Sequence, residues 1–194
     1  FILKLRTLYL KEVRFINLIV IHCSATRCDR SYTEHELTTD HLRRGFSGAG
    51  YHFYIRKNGD IKSLRPLSLP GAHVRGWNAG SIGVCYEGGL DECGRPADTR
   101  TLFQKHSLHV LVLLLLKDYP GSRLCGHRDL SPDLNHNGEI EPEEWVKQCP
   151  CFDAATILTE PPPPNPAAYK MFLFSFFVLF ARTYIYNCLL YTSP

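Results

Sequence analysis

Several features that mark whole protein classes are missing from these 194 residues. No apolar run reaches the roughly 20 residues that a membrane helix needs. The longest candidate, "MFLFSFFVLFA" at 171–181, is eleven residues long, apolar but for Ser175, and is followed by Arg182, so a membrane role is not expected. There is no Lys/Arg run, no zinc-finger pair and no aromatic-basic patch, which removes the usual signs of nucleic-acid binding. A net charge of +3 is too small to reverse that. No cleavable leader is visible either. "FILKLRTLYLKEVRF" alternates basic and apolar residues, without a continuous apolar core or a small-residue cleavage site. The chain opens on Phe1 rather than Met, and "CLLYTSP" at its end resembles translated sequencing adapter. Both ends are therefore set aside in reading the fold.

What remains is an ordinary globular composition, 44% hydrophobic and 21% charged, in a length that suits one domain plus a tail. Eight cysteines could signal a disulfide scaffold in a small secreted chain. Here Cys23, Cys85 and Cys125 sit in strand-like apolar runs, and Cys149 and Cys151 flank a proline. That placement fits a reduced, cytosolic protein better.

The organisation reads as follows. Residues 1–13 are a non-native or disordered extension, 14–159 a single domain, 160–168 a stiff polyproline linker and 169–194 a hydrophobic, partly artefactual tail. Within the domain, "INLIVIHC" (16–23) is a continuous β-branched run, the mark of a buried strand. Thr33 and Glu36 fit a capping box that opens a helix over about 34–45. "GYHFYIRKNGDIKSL" alternates around Asn58-Gly59 and predicts a β-hairpin. "SIGVCYEGG" (81–89) is another buried strand, and 98–120 a long helix capped by Asp98 or Thr99 and stopped by Pro120. "SRLCGH" is a short strand ending at His127. The expected class is α/β: a central mixed sheet of about five strands flanked by helices, with a groove at the strand ends.

Strand ends are rigid and open onto clefts, so they are good places for metal ligands. A catalytic zinc takes three protein ligands and leaves one position open. His22 and His127 close two strands, and Cys149 follows in a Cys-Pro turn with Cys151 as a competitor. Spacing alone does not choose between an ion and structural histidines. His35, His41, His52, His106 and His109 read as surface or strand residues without special roles.

"IHCSAT", "GYHFYIRKNGDI", "GAHVRGWNAGSIGVCYEGG", "GHRDL" and "KQCPCFD" occur in this order. Together they resemble the type-2 N-acetylmuramoyl-L-alanine amidase family, which includes amidase-type phage lysozymes and shares its fold with peptidoglycan recognition proteins. The resemblance spans about residues 16–158. It implies zinc ligands at His22, His127 and Cys149, the last because the family's Cys-Pro-x-Phe-Asp pattern puts the ligand before Pro150. It also implies catalytic Tyr51 and Lys147, and a substrate groove that includes His73, Trp77 and Asn78. Some relatives carry a Glu base just after the "SIG" strand, where this chain has Cys85, so a Tyr/Lys mechanism is favoured. The implied activity is zinc-dependent cleavage of the N-acetylmuramic acid–L-alanine amide in peptidoglycan by a monomeric phage or prophage endolysin. Such an enzyme is made in the cytoplasm and acts on the wall after release. The alternative is a non-catalytic wall-binding module, which typically lacks the Cys ligand.

Between His127 and Cys149 lies "DLNHNGEIEPEE", which matches a calcium-loop template at Asp133, Asn135, Asn137, Gly138 and Glu144. Glu139 would offer its backbone carbonyl. A structural Ca2+ is therefore expected at 133–144, with Glu144, Trp145 and Lys147 on a short helix begun by Pro142. A calcium sensor would need paired loops, and only one is present.

Overall fold

The computed structural model describes residues 14–159. The expectations for 1–13, 160–168 and 169–194 lie outside the described residues.

Among the described residues seven strands form in chain order: β1 (Leu18–Cys23), β2 (Thr26–Arg27), β3 (Phe53–Ile55), β4 (Ile61–Ser63), β5 (Ser81–Tyr86), β6 (Gly89–Leu90) and β7 (Arg123–Gly126). Five of them make a mixed sheet in the order β4-β3-β5-β1-β7, and β2 and β6 form a small parallel pair. Three helices accompany them: α1 (Glu34–Arg43), α2 (Leu102–Asp118) and the single turn α3 (Thr156–Thr159). Every residue of β1 and β5 is buried, and the two sequences are largely apolar, because both faces of the sheet are covered.

The period of two sorts the side chains. Ile19 and Ile21 of β1, Ile82 and Val84 of β5 and Ile55 of β3 pack against Leu108, Leu111, Val112 and Leu115 of α2. The alternate residues face the other way, where Tyr54 and Cys85 meet Leu37 of α1. β3 and β4 pair antiparallel as the Asn58-Gly59 turn predicts, with Gly59 in the left-handed region at φ 89°.

α1 begins as expected: Thr33 accepts from the Glu36 amide, and Glu36 accepts from the Thr33 amide. α2 starts later than its sequence suggests. Its cap is Thr101, in a capping box with Gln104, and neither Asp98 nor Thr99 caps it. The Asp98 carboxylate is taken by Arg100, and the Thr99 hydroxyl accepts from the Gly89 amide. Two of the unassigned histidines are buried supports. His41 Nδ1 accepts from the Gly50 amide at 2.9 Å, and His52 Nδ1 accepts from the Gly83 amide at 3.0 Å.

Thr101→Ala should lower unfolding free energy by about 1–2 kcal/mol, the usual cost of losing an N-cap. Its hydroxyl also donates to the Lys57 carbonyl, so the upper half of that range is expected. Urea titration would measure it, and an unchanged midpoint would contradict this capping.

Candidate metal centre and active-site cleft

β1 carries His22 in its last turn of chain, and the neighbouring β7 ends one residue before His127. Because β1 and β7 run parallel, their ends lie at the same sheet edge. The His127 amide continues the ladder by donating to the Ile21 carbonyl at 3.1 Å. The third element is the 149–151 loop. Arg128 N–H donates to the Cys149 carbonyl at 2.8 Å, and Tyr86 Oη donates to the Pro150 carbonyl at 2.8 Å. Gly126 leaves room for that loop, since a Cβ there would stand 2.6 Å from Pro150 Cδ.

The result is one donor cluster. Ligand atoms of His22, His127 and Cys149 all lie within 4.8 Å of one another, and no other such His/Cys/Asp/Glu trio occurs among the described residues. His22 Nδ1 is 3.8 Å from Cys149 Sγ. Tetrahedral zinc ligands at about 2.0–2.3 Å from an ion stand about 3.3–3.7 Å apart, so a small contraction would close the site. Burial holds the His22 pKa well below its ordinary value, with His73, His127 and Lys147 adding to the effect. His127 is shifted the same way, by burial and then Lys147. Both imidazoles are thus neutral, as ligation requires. The donor set fits zinc. Cys151 takes another role: its thiol donates to the Gly89 carbonyl and lies 3.9 Å from Cys23 Sγ.

The cluster opens onto a cavity of about 200 Å³ whose walls include Tyr51, His73, His127, Lys147 and Cys149. The Tyr51 ring is 5.0 Å from that of His22. Burial, then the cysteines Cys85, Cys149 and Cys23, raise the Tyr51 phenol well above its usual pKa, so it stays protonated. A second cavity of about 370 Å³ shares Ser24, His41, Arg44 and Tyr51 with the first and extends the cleft over α1. Glu87, two residues past Cys85, supplies no base here. It is buried and accepts from Tyr32 N, Arg56 Nε and Lys57 N.

The three residues expected in the groove differ in where they stand. His73 reaches the cavity wall but is mostly buried beside His22, and burial pushes its pKa down to about 3. Asn78 serves the main chain, its side-chain oxygen accepting from His73 N and Val74 N. Trp77 is 45% exposed and does not line the cavity. The supporting role of His41, which the sequence reading missed, had a signal: it lies four residues after buried Leu37, on the same helix face.

The 133–144 loop closes on itself. Gly138 N donates to Asp133 Oδ2, Asn137 N to Asn135 Oδ1 and Glu139 N to Asn137 Oδ1. The Glu144 carboxylate accepts from the amides of Leu134, Asn135 and Glu141. These bonds occupy several of the oxygens offered to calcium, while Asp133 Oδ1 is buried without a partner. The helix expected around Glu144 is one 3-10 turn, Pro142–Glu144, and Lys147 lies beyond it.

Residues 12–150 match the model of the family described as N-acetylmuramoyl-L-alanine amidase. The chain is 35% identical over 135 residues to the endolysin of Klebsiella phage KP32, covering 70% of this chain and 80% of that one. It is 33% identical over 143 residues to the endolysin of Escherichia phage T7, covering 74% and 85%. Among solved structures it resembles the N-acetylmuramoyl-L-alanine amidase LysC of Clostridium intestinale, with a TM-score of 0.60, 29% identity, and 77% and 87% of the two chains covered. Drosophila PGRP-LB shares the fold at 20% identity and a TM-score of 0.56, covering 76% and 82%.

The histidines set a pH dependence. His22, His52, His73 and His127 all have pKa values below the ordinary 6.5, chiefly through burial. They stay neutral in the fold and take up protons when unfolded. Stability is therefore full above about 6.5 and is lost as pH falls below it, by up to roughly 1.4 kcal/mol per pH unit for each such group. Thermal unfolding of the metal-free protein should show Tm falling from pH 7 to about pH 5. A flat profile would contradict neutral burial.

Proposed function

The chain belongs to the N-acetylmuramoyl-L-alanine amidase family and is a peptidoglycan amidase, and from that premise we propose that it is a zinc-dependent hydrolase. Its target would be the amide between N-acetylmuramic acid and L-alanine. The observation that carries this reading is the His22/His127/Cys149 cluster opening onto the same cavity as Tyr51 and Lys147. His22, His127 and Cys149 would hold zinc, which when bound supplies Lewis acidity and a nucleophile at neutral pH.

The side chains account for the rest. Amide hydrolysis must stabilise negative charge on the carbonyl oxygen and protonate the departing nitrogen. A Tyr51 phenol that keeps its proton is a hydrogen-bond donor suited to the oxyanion. The Lys147 ammonium brings positive charge to the cavity wall beside His127. The longer cavity over α1 gives the stem peptide a path away from the scissile bond. The phage relatives are endolysins, which supports a phage or prophage lysis enzyme made in the cytoplasm and acting on the wall. Calcium has no part in the proposal.

The test uses the purified protein on cell wall. Wild type should hold one zinc and release L-alanine amino termini. Cys149→Ser should lose both, while Cys151→Ser keeps both. Tyr51→Phe should keep the metal and lose about 10²–10³ in kcat, the usual cost of an oxyanion donor. A wild type that binds wall fragments, holds no zinc and cuts nothing would instead make this a recognition module.

A further inference from the structure

His22 faces the donor cluster through Nδ1. Its other ring nitrogen, Nε2, lies 3.0 Å from His73 Nδ1, a contact buried from solvent. A neutral imidazole has one N–H. If Nδ1 gives its lone pair to an ion, the proton must sit on Nε2. His22 is then the donor and His73 Nδ1 the acceptor. The same count puts the His73 proton on its own Nε2, 3.3 Å from Ser81 Oγ. Ser81 is the first residue of β5 and is fully buried. A line of polar contacts therefore runs from the sheet through His73 to His22.

The His73 ring sits in a slot made for it. A Cβ on Gly71 would stand 2.3 Å from His73 Cδ2, and a Cβ on Gly83 would stand 2.6 Å from the same atom. No side chain larger than hydrogen fits at either position without moving the ring. Asn78 clamps the backbone on the third side, accepting from His73 N at 2.9 Å and Val74 N at 3.0 Å. A side chain that only touched substrate would need neither the glycines nor the clamp.

We infer that His73 is a positioning residue for the metal centre, holding His22 in the tautomer and ring orientation that leave Nδ1 free to ligate. The inference rests on the zinc reading above. Outer partners of ligating histidines fix ring orientation in this way, and losing one weakens metal binding by about 10- to 100-fold. Here the partner is an imidazole 51 residues away in sequence.

The experiment measures zinc dissociation constants by chelator competition on the full chain, with steady-state kinetics at saturating zinc. His73→Asn can keep an acceptor where Nδ1 stands, whereas His73→Gln carries its amide one bond too far. His73→Leu removes the acceptor altogether. His73→Leu and His73→Gln should bind zinc about 10- to 100-fold more weakly, and His73→Asn should recover most of the loss. Gly83→Ala should weaken binding in the same direction by displacing the ring. Zinc affinity unchanged in all variants, with KM raised, would overturn the inference and return His73 to the substrate groove. Asn binding no better than Gln would overturn it as well, and this pair keeps the test valid if Leu does not fold. A wild type without zinc would sink the metal reading itself, and the role of His73 with it. Wild-type binding with unchanged variants would sink only the inference.

Discussion

The parallel pairing of β1 with β5 on one side and β7 on the other decides where the chemistry can occur. β1 is the inner strand, and its register with β7 brings Ile21 opposite Gly126. One residue further along each strand stand His22 and His127. A slip of one residue would turn His22 toward α2 and bury it in the apolar cluster. Register therefore fixes the spacing of the first two ligands before any metal binds. The third ligand depends on the same frame, since the 149–151 loop hangs from Arg128 and Tyr86 by hydrogen bonds.

That frame also shields the inner imidazoles. The His22 and His73 side chains touch little solvent, and burial keeps their imidazoles neutral. Neutral, pre-aimed imidazoles release no proton on ligating an ion, so that Cys149 alone would give one up in becoming a thiolate. The same burial keeps the Tyr51 phenol protonated. One environment thus prepares both the lone pairs that would hold zinc and the O–H that would meet a developing oxyanion. Glu87 shows the other solution to burial in this fold. Its carboxyl oxygens accept from Arg56 and two backbone amides.

The sheet was legible in the sequence because its strands carry β-branched runs, and the Asn-Gly turn marked the hairpin. The start of α2 was misjudged because Asp98 and Thr99 both carry cap chemistry. The deciding feature was Gln104, three residues after Thr101, which completes a box that the earlier candidates lack. The residues around the metal cluster could be named from a family resemblance, but the support beneath them could not. His73 lies far from His22 in the chain, and its role depends on a ring slot between Gly71 and Gly83. Such long-range contacts leave no periodic mark. The 133–144 loop shows the converse: a complete ligand template in which Asp133 Oδ2, Asn135 Oδ1 and Asn137 Oδ1 accept from the loop's own amides.

The central claim is a centre of two imidazoles and one thiolate. X-ray absorption at the zinc edge of the zinc-loaded protein tests it most directly. The account predicts one sulfur at about 2.3 Å and two nitrogens at about 2.0–2.1 Å, with a light atom completing the shell. Two sulfurs would bring Cys151 into the centre, and none would remove Cys149; either would contradict the ligand set that this strand register builds.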